Sequence, residues 1–163
     1  MACTDELMNQ ALGLAAQALF LSNPNPRVGC VLVAPDGRVI GQGSTQQAGG
    51  PHAEIMALRD AAAAGQDVRG ATAYVTLEPC AHQGRTGPCC DALAAAGIAK
   101  VVASVADPNP LVAGQGFARL RAAGIKVEVG PGSAESRELN IGFFSRMIRG
   151  TPWVRLKSAA SLD

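Results

Sequence analysis

No run of lysine and arginine occurs anywhere in the 163 residues, and the formal net charge is only +1. Such a chain has no field to gather a polyanion, which argues against nucleic acid as its partner and favours small-molecule chemistry. No stretch approaches the ~20 apolar residues needed to cross a bilayer. The opening Met1-Ala2-Cys3-Thr4-Asp5-Glu6 also lacks the positive region of a secretory signal. A cytoplasmic protein with no membrane partner is therefore expected. Cytosolic thiols stay reduced and the cysteines number five, an odd count, so a disulfide framework is not expected either. Any cysteines that cluster are better read as metal-binding or catalytic.

What is present reads as one globular domain, with 48% hydrophobic and 17% charged residues. Thr4 caps a first helix with Asp5 and Glu6 in its opening turn, and helical spacing carries it to about Phe20. Ser22 to Arg27 is dense in Pro and Asn, a rigid loop suited to presenting a side chain. It feeds the apolar run Val28 to Val33, which pairs with Val39 to Gly43 across Ala34-Pro35-Asp36-Gly37 as an antiparallel hairpin. Helices then alternate with strands: helix over 52–64, strand 71–77, helix 88–96, strand 101–105, helix 117–123, strand 125–129. A last helix over 135–148 places Leu139, Phe143 and Met147 on one side, and 152–157 has the look of a further strand without a partner. The expected architecture is a three-layer α/β/α sandwich around a mixed sheet of about five strands.

Three short segments share a pattern: Pro51-His52-Ala53-Glu54, Glu78-Pro79-Cys80 and Pro88-Cys89. Each sets a zinc-type ligand directly after a proline, at a helix start or after a strand. Catalytic zinc takes three protein ligands and leaves a fourth position for water, and His52, Cys80 and Cys89 supply that count. Cys89 gains further from a helix N-terminus, whose dipole favours the thiolate. Glu54 lies two residues beyond His52, close enough to exchange protons with water without ligating the metal. A structural zinc with Cys90 as fourth ligand is disfavoured, because neighbours on a helix point about 100° apart. Cys3 and Cys30 are assigned to packing. The His-x-Glu and Pro-Cys arrangement resembles that of zinc deaminases, in which the Glu is likewise not a ligand.

A closer resemblance rests on Asn23-Pro24-Asn25-Pro26-Arg27-Val28-Gly29-Cys30, on Pro51 to Glu54, on Thr76 to Cys89 and on Asp107-Pro108-Asn109-Pro110. Together these resemble the deaminase part of the bifunctional riboflavin-biosynthesis deaminase/reductase, over essentially the whole chain. Eight residues separate Cys80 from Cys89, whereas cytidine and tRNA adenosine deaminases typically place two between their cysteines. The resemblance implies a cytidine-deaminase-like fold and one zinc per chain. It also implies hydrolytic deamination of diaminohydroxyphosphoribosylaminopyrimidine to 5-amino-6-(5-phosphoribosylamino)uracil. By position it implies that Asn25, His82, Arg85, Asp107 and Asn109 contact the substrate. Arg85 suits a phosphate or carbonyl. The bland readings are Asn25 as a turn former, Asp107 and Asn109 as loop residues, and Arg85 as a solvated cation.

The chain departs from the family in two places. Relatives often carry His where Thr45 stands, so that contact is expected to be lost or supplied by Gln46. Residues 151–163 are expected to be a linker and the first strand of a reductase domain that is otherwise absent, leaving 1–150 as the deaminase unit. NADPH belongs to that reductase alone. Two rivals stand: a zinc deaminase for another base or nucleotide (guanine, dCMP or tRNA adenosine), and a zinc-binding module without catalysis. A homo-oligomer is compatible with the sequence.

Overall fold

Alternating burial in the strands creates two cores, one on each face of a five-stranded sheet. In the computed structural model, which describes residues 3–82 and 87–161, Cys30 and Leu32 face one core while Val31 and Val33 face the other. The same alternation separates Ala73 and Val75 from Tyr74, and Val101 and Ala103 from Val102. Both faces of each strand are covered, which is why these segments read as continuous apolar runs.

The elements run α1 (Thr4–Gln17), β1 (Gly29–Val33), β2 (Val39–Ser44), α2 (Ala53–Ala63), β3 (Thr72–Val75), α3 (Cys89–Ala95), β4 (Lys100–Ala103), α4 (Gln115–Ala122), β5 (Lys126–Val129), α5 (Ser133–Leu139) and α6 (Ile141–Arg149). Sheet order is β2-β1-β3-β4-β5. β1 is antiparallel to both β2 and β3, whereas β3, β4 and β5 are parallel. Leu7, Met8, Ala11 and Leu12 of α1 fill one core, and α2, α3 and α4 fill the other with Ala57, Leu93 and Leu120 among their buried residues. The three-layer α/β/α sandwich with a mixed five-stranded sheet is thus observed.

Three expected elements differ. The first helix stops at Gln17 rather than near Phe20, and the three residues after the Ala18 cap are largely exposed. The expected single helix over 135–148 is two helices broken at Asn140, whose buried side chain is engaged elsewhere. Residues 152–157 form no strand: they meet no ladder partner among the described residues, and Val154 and Leu156 are 80% and 90% exposed. A strand pattern without a neighbouring edge leaves its backbone groups to water.

α2 reaches β2 only because glycine lets it. A Cβ placed on Gly43 would lie 2.5 Å from the Ala57 nitrogen and 2.6 Å from the Ala53 carbonyl oxygen, both backbone atoms. Gly43→Ala must therefore push away the helix that carries Glu54. We expect a loss of about 2–3 kcal/mol, read as a lower urea midpoint at unchanged slope, as for other overpacked cores. An unchanged midpoint would mean that α2 retreats freely.

Candidate active site

Residues leaving the carboxyl ends of β3 and β4 meet the start of α2 at a cavity of about 400 Å³. The carboxyl edge of parallel strands is where open α/β sheets generally bind ligands. Past β3 the chain runs through Leu77, Glu78 and Cys80, and past β4 through Asp107 and Asn109; all five line the cavity. Asn25, Thr45, His52, Glu54 and His82 line it as well.

His52 is the N-cap of α2 but makes no capping bond, so its ring is free to face the cysteines. Its Nδ1 lies 3.6 Å from Cys80 Sγ and 3.3 Å from Cys89 Sγ. All three donor atoms fall within 4.8 Å of one another, forming one group able to hold a metal ion. Cys89 opens α3 as expected, and its backbone N–H donates to Cys80 Sγ at 3.3 Å. Cys90 turns away: its thiol donates to the carbonyl oxygens of Pro79 and Gly116. The adjacent cysteine thus packs, and three ligands converge.

The charges fit a cation. Cys80 is drawn down to about 4, chiefly by hydrogen bonding with Cys89 and then by His52, against the opposing effect of burial. Cys89 is pushed up by the same contact with Cys80 and by burial. A divalent ion bound by both sulfurs would displace any proton left between them. His52 is raised by its bond to Cys80. Glu54, only 3% exposed on the first turn of α2, is lifted to about 7, first of all by burial. One imidazole, two thiolates and no fourth protein ligand among the described residues fit a catalytic zinc site.

The remaining expected contacts divide. Asn25 lines the cavity half-buried, and its own N–H also closes a turn onto the Ser22 carbonyl. Asp107 and Asn109 line it half-buried while their side chains accept from the backbone N–H groups of Asn109 and Leu111. For these three residues the loop-forming and cavity-lining readings hold together. Burial raises the Asp107 carboxyl. His82 lines the cavity from an exposed position. Arg85 lies outside the described residues. Thr45 is buried, with Oγ1 accepting from Val28 N–H, while Gln46 turns back to donate to the Ser44 carbonyl and does not line the cavity.

Other cavity residues were not singled out in the sequence for this place. Phe143 and Met147 have the spacing of a buried stripe, yet they wall the cavity with Arg146. The break at Asn140 explains the arrangement. Asn140 Oδ1 accepts from Arg27 N–H at 2.7 Å, and its Nδ2 donates to the Arg27 carbonyl at 2.9 Å. Arg146 adds a bond to the Pro24 carbonyl. Arg27 also donates to the Leu139 carbonyl, so the loop bearing Asn25 is fastened to both sides of the helix break. Glu78 also went unassigned, although a carboxylate between Leu77 and Pro79 was a visible signal.

Fold and donor set together define a zinc-deaminase architecture. Residues 1–105 match the family described as the cytidine and deoxycytidylate deaminase zinc-binding region, and the chain belongs to that family. Within it, the chain is 57% identical over 156 residues to riboflavin biosynthesis protein RibD of Escherichia coli, covering 96% of this chain and 41% of that protein. It is 47% identical to diaminohydroxyphosphoribosylamino-pyrimidine deaminase of Buchnera aphidicola subsp. Schizaphis graminum, covering 89% of this chain and 96% of that protein. A solved structure of RibD from Acinetobacter baumannii superposes with a TM-score of 0.90 at 52% identity, over 97% of this chain and 44% of that one. The chain thus spans about two fifths of the length of the longer curated relatives it matches.

Proposed function

We propose that the chain hydrolytically deaminates diaminohydroxyphosphoribosylaminopyrimidine, releasing ammonia and 5-amino-6-(5-phosphoribosylamino)uracil in riboflavin biosynthesis. The observation that carries this is the buried Glu54 lining, with His52 and Cys80, a cavity with room for a pyrimidine, while Cys89 Sγ lies within ligand reach of both. The similarity to a stand-alone deaminase along almost that protein's whole length supports the choice of substrate.

His52, Cys80 and Cys89 hold one zinc ion, which when bound supplies the Lewis acidity that makes water nucleophilic at neutral pH. Glu54 accepts the proton that water gives up as its oxygen bonds to the amine-bearing ring carbon. The same carboxyl passes that proton to the ring nitrogen, then takes the second proton from the newly bonded oxygen and gives it to the departing amine, so the C–N bond breaks to neutral ammonia and a carbonyl remains. Asn25, His82, Asp107 and Asn109 orient the ring and ribosyl arm, and Arg85 meets the phosphate or a ring carbonyl. Residues 1–150 form the catalytic unit, since helical structure ends at Arg149. Residues 151–161, which carry no helix or strand, are read as a linker outside that unit.

Ammonia release should be measured with freshly prepared diaminohydroxyphosphoribosylaminopyrimidine beside dCMP, guanine and a tRNA bearing the target adenosine. Turnover of the phosphoribosylaminopyrimidine alone, insensitive to salt, is the expected result. Preferential release from any of the others would overturn the substrate assignment.

A further inference from the structure

We infer that Glu78 is a positioning residue for substrate binding, acting through Asp107 and Asn109; this rests on the deaminase reading above. Its carboxylate accepts four backbone N–H bonds, all from residues about thirty to forty positions later in the chain. Oε2 receives Asp107 and Gly114, each at 2.9 Å; Oε1 receives Gly116 at 2.8 Å and Phe117 at 3.3 Å. Glu78 itself is 6% exposed.

Each of these four donors needs an outside acceptor. Gly116 and Phe117 lie in the first turn of α4, where backbone N–H groups have no partner within the helix. The N-cap residue Gly114 has no side chain to supply one. Glu78 therefore caps α4 from another segment and places its negative charge at the positive end of the helix. Its other oxygen fixes Asp107, whose side chain holds the N–H of Asn109, whose side chain in turn holds the N–H of Leu111. The segment from 107 to 111 thus hangs on one carboxylate, itself two residues from the ligand Cys80. Gly116 completes the joint: a Cβ there would lie 2.1 Å from the Pro79 carbonyl oxygen, so α4 sits directly on the Pro79–Cys80 backbone. The clamp holds the substrate-contacting loop in register with the metal ligands.

Glu78→Gln keeps the shape but turns an NH₂ group towards one pair of N–H donors. We expect KM for the phosphoribosylaminopyrimidine to rise about tenfold or more, with kcat within about threefold and zinc content unchanged. Asn109→Ala alone should also raise KM, and adding Glu78→Gln to it should raise KM little further, because both act on one contact. Multiplying effects, or equal falls in kcat and kcat/KM, would overturn the inference. Amide hydrogen exchange decides it independently of turnover. In the wild-type protein the amides of Asp107, Gly114, Gly116 and Phe117 should be protected, and Glu78→Gln should release at least one pair. Unprotected wild-type amides would sink the clamp even where the variant does not fold. If wild-type protein releases no ammonia, the deaminase reading falls while the exchange result still judges Glu78.

Discussion

Glu54→Gln is expected to lower kcat by about 10²–10⁴-fold, the usual worth of a positioned acid–base group. Zinc content should remain one per chain. Gln matches Glu in shape and Glu54 supplies none of the three donor atoms, so the ligand set is kept, but an amide cannot take up the proton that water gives up. The fold should also survive: burying an ionised carboxylate costs stability, and Glu54 is 3% exposed. Lost turnover with an unchanged melting temperature would therefore locate the defect in chemistry. Ammonia release at matched zinc content, together with a thermal melt, checks both arms. A metal-binding module without catalysis expects no difference between the two proteins, and that outcome would remove Glu54 from the mechanism.

The three central strands were legible because they are buried on both faces, which leaves an apolar run in the sequence for 29–33, 72–75 and 101–103. The cluster able to hold a metal was legible for a different reason. His52 and Glu54 sit on one helix turn, and Cys80 and Cys89 each follow a proline, so the chemistry is written in local segments. What escaped reading depends on distant partners. Leu139, Phe143 and Met147 keep helical spacing across the break at Asn140, and only the bonds from Asn140 to Arg27 reveal why the helix divides there. Glu78 looks like one more loop carboxylate until α4 arrives to be capped. Residues 152–157 have a strand's composition, but a strand also needs an edge to pair with. The Gln46 amide turns to the Ser44 carbonyl two residues back, a local bond that residue types alone do not announce.

Cys89→Ala should abolish turnover and leave the protein without its zinc, whereas Cys90→Ala should retain one zinc per chain. The two cysteines are neighbours, yet Cys89 faces His52 and Cys80 while the Cys90 thiol donates to two backbone carbonyls. A zinc ion held by these three residues would tie three segments together: the start of α2, the loop after β3 and the start of α3. Binding to the folded state alone stabilises by about 4 kcal/mol when free metal exceeds Kd a thousandfold. For a chain of this size that corresponds to roughly 10 °C in Tm. Wild-type protein treated with a chelator and Cys89→Ala in excess zinc should therefore melt at similar temperatures, each about 10 °C below zinc-loaded wild type. Metal content by atomic emission and a thermal melt decide the matter. Retention of zinc by Cys89→Ala, or its loss by Cys90→Ala, would mean that the wrong thiol has been assigned to the metal.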